Sequence, residues 1–154
     1  MHINSEFLPE LKNKILDIKH RLSTDVSGKL NPFSFYGCEF TGTDFNVLFR
    51  DTKFMKYVGD NYNNFKYYEG RNTDTQIFKP YGSCNGGGLY LTTDKFIHEY
   101  SGNYGPTLVY VTIPNEDGVR VFVEESNRIK ANIVNIEAVK GHFVETFVGK
   151  PGLK

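Results

Sequence analysis

Residues 107–123 read TLVYVTIPNEDGVRVFV, and this stretch decides the fold. Thr107–Ile113 is an unbroken run of apolar, β-branched and aromatic residues, as expected of a strand covered on both faces. Pro114-Asn115-Glu116-Asp117-Gly118 is dense in turn formers. Val119, Val121 and Val123 then recur at every second position, the period of a second strand. Two strands across one tight turn predict antiparallel pairing.

Outward from this hairpin the same alphabet continues. Leu89-Tyr90-Leu91-Thr92 reads as a strand entered through the glycine-rich residues 79–88 (KPYGSCNGGG). Thr93 and Asp94 offer a cap for a short helix carrying Phe96, Ile97 and Tyr100. Phe45, Val47 and Phe49 alternate and predict a strand, with a second short one through Phe54 and Met55. Phe65 and Tyr67 alternate before an expected turn at Glu69-Gly70-Arg71-Asn72. Two late strands are expected at about 131–139 and 142–148, joined near Gly141.

The amino-terminal end differs. Leu8, Leu11, Ile15, Ile18 and Leu22 recur at helical steps, which predicts an amphipathic helix over 5–22 with Ser5 as cap and Pro9 inside the first turn. Residues 23–44 read as a connector and 149–154 as a tail. Phe35, Phe40 and Phe45 stand five apart, but three such repeats do not complete the coil of a pentapeptide solenoid. The fold class expected is α+β: one domain over 1–154, with a β-rich core over 45–148. In it the N-terminal amphipathic helix packs on a mostly antiparallel sheet or split β-sandwich with one short inserted helix.

Composition narrows the function classes. With 154 residues the chain suits a single core, and 18 basic against 18 acidic residues give a formal net charge of zero. That balance speaks against broad phosphate-driven nucleic-acid binding. No apolar run approaches a membrane span and no basic-then-apolar leader opens the chain, so a soluble, cytoplasmic protein is expected, with no membrane partner. Cys38 and Cys84 form no CxxC pair, and His2, His20, His98 and His142 have no metal-ligand spacing, so no metal is assigned.

One run asks for a chemical reason. Three consecutive glycines, Gly86, Gly87 and Gly88, cost backbone entropy. They either expose N–H groups to an anion, let a ligand approach the main chain, or form a flexible entry to the next strand. The run is neither a Walker loop nor a GxGxxG fingerprint.

Together with Tyr104-Gly105 and the 107–113 strand, residues 86–113 resemble the middle of ADP-ribosyltransferase folds. The resemblance implies a cofactor, NAD, and a site. Tyr90 matches the tyrosine that stacks on nicotinamide, and Gly86, Gly87, Gly88, Thr92 and Thr93 border the cofactor. Arg50 is the candidate pyrophosphate arginine, and Glu124 or Glu125 the catalytic glutamate. The implied reaction breaks the nicotinamide–ribose bond through a cationic transition state that a carboxylate stabilises.

A longer pattern runs from Phe65, Tyr67, Gly70, Asn72, Asp74 and Phe78 through Ser83-Cys84, Gly87-Gly88-Leu89-Tyr90 and Ile113-Pro114 to Lys130-Ala131. It resembles a domain of giant viruses of the mimivirus type that commonly precedes ankyrin repeats, and it implies a viral origin and a host-cytoplasm or virion location. The chain departs from that pattern at Tyr62, where the family carries a histidine.

Two functions follow. One is a non-catalytic interaction or structural module that binds a protein partner through the aromatic surface of Tyr62, Tyr67, Tyr68 and Tyr81. The other is the ADP-ribosyltransferase-like enzyme. A single-stranded nucleic-acid platform of Lys53, Lys56, Lys66 and Arg71 among aromatics is the weakest reading, because Asp51, Asp60, Glu69 and Asp74 offset its charge.

Overall fold

The amphipathic stripe near the amino terminus does form a helix, α1, Leu8–Leu22, but its buried face is not the expected one. The computed structural model describes residues 8–22, 30–59, 65–81, 87–102 and 105–139. In α1, Leu8, Leu16 and Lys19 are buried, whereas Ile18 is 43% exposed. Two lysines explain the rotation. Lys12 Nζ donates to the Glu39 carbonyl at 2.8 Å while lying 4.9 Å from the centre of the Phe40 ring. Lys19 Nζ donates to the Leu48 carbonyl, also at 2.8 Å. Both stems cover apolar surface and both ammonium groups satisfy carbonyls, so a lysine stands where an apolar residue was expected.

The predicted connector over 23–44 holds structure of its own. Asn31 Oδ1 accepts from Phe33 N and starts a 3-10 turn, Pro32–Phe35, and strand β1 follows at Glu39–Thr41. The expected strand through Phe45, Val47 and Phe49 is instead a helix, α2, Gly42–Phe49. Thr41 caps it, its hydroxyl accepting from Asp44 N at 3.1 Å. Phe45, Leu48 and Phe49 are the buried set, which is helical spacing; the alternation was incidental. The Phe45 and Phe49 ring centres lie 4.9 Å apart with their planes tilted, and Phe35, Phe40 and Phe54 join them edge-on or tilted. The five-residue spacing is thus one aromatic core cluster and no coil.

The other strands are β2 Phe54–Val58, β3 Gly70–Thr73, β4 Leu89–Thr93, β5 Thr107–Thr112, β6 Arg120–Glu124, β7 Arg128–Ala131 and β8 Ile133–Ala138. They form one eight-stranded sheet in the order β1-β6-β7-β4-β2-β5-β8-β3, with every pairing antiparallel. The protein is an α+β fold with a helix packed on a sheet, as expected. β5 does not pair with β6; the turn at 114–118 carries the chain from one wing of the sheet to the other.

β4 is the joint between the wings, since Leu89–Leu91 pairs with β7 and Thr92–Thr93 pairs with β2. Two local expectations fail here. Residues 70–73 form a strand and no turn, because the Asn72 side chain bonds the main chain of Tyr68 and Gly70 and leaves β3 free to pair with β8. The strand expected over 131–139 is broken at Asn132, whose N–H and Oδ1 bond Arg120 while its carbonyl accepts from Asp74 N. That residue passes the chain from β7 in one wing to β8 in the other. The inserted helix is a 3-10 turn, Ile97–Tyr100. The strand expected at 142–148 and the tail lie outside the described residues.

Leu89, Leu91, Val121, Val123, Ile129 and Ala131 point into the core with the helices. By the two-residue period, Tyr90, Phe122, Glu124, Arg128 and Lys130 belong to the opposite face.

Candidate functional site

That opposite face collects the predicted tyrosine and glutamate. Register sets Tyr90 beside Lys130 and Lys130 beside Phe122, with Glu124 opposite Arg128 in the next row. The Tyr90 hydroxyl donates to Glu124 Oε2 at 2.8 Å. Lys130 Nζ stands 3.2 Å from the same oxygen, both side chains fully buried, and Arg128 Nε lies 3.6 Å from Oε1. Lys130 also donates to the Tyr81 carbonyl at 3.0 Å. One buried carboxylate therefore serves two cations and a phenol, the satisfaction that a buried charge requires.

Lys130 and Arg128 are the residues that sequence reasoning missed. Both sit in Arg128-Ile129-Lys130-Ala131, where charged and apolar residues alternate as on any half-exposed strand. Among the described residues, a segment laid over this face turns that polar side into an interior. The segment is residues 74–81. Asp74 N bonds the Asn132 carbonyl, Phe78 is buried with its ring 5.0 Å from the Arg120 guanidinium, and Lys79 N bonds the Gly87 carbonyl. Arg120 is itself forked onto Glu39 at 2.6 and 2.9 Å.

The glycines of the approach have an internal reason. A Cβ on Gly87 (φ +89°) would stand 2.6 Å from the Ile77 carbonyl, and one on Gly88 (φ +151°) 2.8 Å from Lys130 Cδ. Close approach is made by the chain itself: segment 74–81 from one side, the lysine stem from the other. Gly86 lies outside the described residues.

The remaining predicted cofactor residues do not converge on this cluster. Arg50 ends α2, which packs on the helix-covered face of the sheet, opposite Tyr90. Thr93 is buried in register with Phe54. Thr92 shares the face of Tyr90, but its hydroxyl donates to the Asn127 carbonyl at 2.7 Å. That bond braces the β6–β7 turn, where Ser126 and Asn127 both have positive φ and the Tyr100 hydroxyl donates to the Ser126 carbonyl. Glu125 is exposed on this turn and points to no partner of the cluster. A dinucleotide needs an accessible carboxylate, an open main chain and a pyrophosphate cation on one cleft. Among the described residues these do not fit NAD: the carboxylate is buried between two cations and a phenol, and the glycine approach is filled. Nor do the described residues contain a group of three potential metal ligands, and no described helix is long and apolar enough to cross a membrane.

The predicted partner tyrosines divide. Tyr62 lies outside the described residues. Tyr68 is half-buried, its N–H held by Asn72. Tyr67 is buried and accepts a hydrogen bond from Lys56 Nζ at 2.6 Å, so it presents no surface. Only Tyr81, at 63%, is exposed, and Ile77 beside it on the same segment is 85% exposed. Ile77 was missed because a lone apolar residue in a turn-rich stretch carries no periodicity. The nucleic-acid platform loses two of its cations, Lys56 to Tyr67 and Arg71 to a fork on Glu116.

Burial also changes titration. It pushes the Lys56 ammonium down from 10.5 to about 7 and raises the Tyr67 phenol, which the charge of Asp74 raises further. Burial likewise raises the Cys38 thiol, with Lys12 opposing, which makes that cysteine an inert core residue. Comparison of the chain with protein-family models, curated proteins and solved structures found no match in any of the three.

Two outcomes follow. Gly88→Ala forces a side chain into a positive-φ position against Lys130, and urea denaturation should register a loss of about 1–3 kcal/mol. An unchanged midpoint would mean that the lysine stem does not fill that space. Lys56 supplies the second. The unfolded chain keeps this proton up to about pH 10.4, whereas the folded chain releases it at about 7. Between those values the unfolded state binds more protons, so stability rises with pH. Urea midpoints at pH 7 and 9.5 should climb in the native chain more than in Lys56→Met, and parallel slopes would contradict a buried amine.

Proposed function

We propose that this domain is a non-catalytic recognition module that binds a protein partner through segment 74–81. The observation that carries the reading is the contrast within the five residues 77–81. Phe78 is buried and the Tyr81 carbonyl is held by a buried lysine, while Ile77 and the Tyr81 ring face outward. A large apolar side chain on a pinned segment loses little entropy when a partner covers it, which favours its use as an anchor. The giant-virus resemblance of residues 60–135 fits a module of this kind within a larger viral protein acting in the host cytoplasm or virion. The chemistry of Tyr90 and Glu124 supports the same reading, because their polar groups are engaged in holding the segment.

The test uses immobilised full-length chain, native or carrying Ile77→Ser and Tyr81→Ser, against host-cell extract, with retained proteins quantified. Both substitutions lie on exposed side chains, so circular dichroism and melting should be unchanged. Proteins held by the native chain should fall at least about tenfold on the variant, the loss of one or two anchors. Identical retention would remove segment 74–81 as the binding element. Millimolar NAD or nicotinamide should leave the melting temperature unmoved. A rise of several degrees that Glu124→Gln abolishes would restore the ADP-ribosyltransferase-like reading.

A further inference from the structure

β3 ends the sheet, and among the described residues β8 is its one neighbouring strand. Asp74 N donates to the Asn132 carbonyl, which fixes the phase of that ladder. Counting back in steps of two, Asn72 and Gly70 exchange hydrogen bonds with Val134 and Ile136. The N–H and C=O groups of Arg71 and Thr73 therefore point to the side of β3 where the described residues place no strand. Edges of this kind accept added strands unless lysine, proline or a cover blocks them, and Gly70-Arg71-Asn72-Thr73 contains neither residue.

A groove of about 780 Å³ runs beside this edge, lined by Glu69, Arg71, Tyr110, Thr112, Asn135 and Glu137 among others. Register builds it: Arg71, Asn135 and Thr112 stand in one row across three strands, and Glu137 and Tyr110 in the next. Its charge is unbalanced. Arg71 is neutralised by its two-point fork on Glu116, whereas Glu69 and Glu137 have no cationic partner among the described residues. The ring of Tyr110 is already taken by a cation, Lys53 Nζ lying 5.2 Å from its centre, which leaves Glu69 and Glu137 as the groups for a ligand.

We infer that the β3 edge is a second binding site, which takes an extended basic peptide as a ninth strand. Main-chain groups of the peptide pair with Arg71 and Thr73, and its alternate arginine or lysine side chains reach across β3 to Glu69 and Glu137. Alternation is required, because only every second side chain of an added strand faces the groove. Charge complementarity selects the basic partner, and the main-chain ladder selects the extended conformation. This site is independent of Ile77 and Tyr81, so either can fail without the other.

The probe is a fluorescein-labelled nine-residue peptide of alternating arginine and valine, with an alternating glutamate–valine peptide as control. Anisotropy titration of the full chain should give saturable binding of the basic peptide and none of the acidic one. Glu69→Gln with Glu137→Gln should weaken it at least tenfold. Thr73→Pro removes an edge N–H that the β8 ladder does not use and should weaken it to a similar degree. Saturation of both peptides alike, or full affinity in the doubly neutralised chain, would overturn the proposal. If Thr73→Pro does not fold, amide exchange in the native chain decides. The Thr73 amide should slow at least tenfold with saturating basic peptide, and an unchanged rate would rule out strand addition.

Discussion

A carboxylate and an ammonium, each with no exposed side-chain surface, meet at 3.2 Å on the face of the sheet turned away from the helices. Charges are costly to remove from water, and several kilocalories per mole are lost if either is left alone. Everything around Glu124 and Lys130 reads as a response to that cost. Tyr90 supplies a hydroxyl, Arg128 a second cation, and the Tyr81 carbonyl takes another ammonium proton. Gly88 is small where the lysine stem passes, and Gly87 is small where segment 74–81 crosses. The pair thus determines how the overlying segment lies, and so which side chains that segment offers to solvent.

This arrangement separates two uses of the same residues. A catalytic glutamate needs a vacant side toward its substrate, and a stacking tyrosine needs an uncovered face. Here the glutamate is enclosed and the tyrosine hydroxyl is committed to it. The polar groups build a platform, and the outward residues Ile77 and Tyr81 are what the platform presents. On the other wing, the described residues of β5, β8 and β3 line a groove, which gives the domain a second surface of different chemistry. One surface is apolar and pinned; the other is polar and carries an open strand edge.

Legibility followed physical range. The 107–123 strands, the strand at Leu89–Thr93 and the first helix were legible because their periods are local. Phe45–Phe49 misled because Phe, Val and Phe at alternate positions satisfy a strand template, while the decisive signal was the Thr41 cap and Asp44 in the first turn. Residues 70–73 were obscured by Gly70 and Asn72, turn formers whose side-chain and main-chain bonds here begin a strand. Tyr90 and either Glu124 or Glu125 were singled out as ligand-facing residues, and the structure brings Tyr90 and Glu124 into contact. Their true partner, Lys130, lies forty residues from Tyr90 in the chain, and its burial depends on the packing of a third segment. Arg50 was read as closing a strand, and that strand is the helix α2.

The most direct measurement is amide exchange of Lys79, whose N–H bonds Gly87 beneath the segment, compared with Val109 at the centre of β5. If the buried ammonium pins residues 74–81, Lys130→Met under native conditions speeds exchange at Lys79 by at least ten times more than at Val109. Equal acceleration at both amides, or none at either, would mean that the segment is held by something other than the Glu124–Lys130 contact, and the account of the site would fall with it.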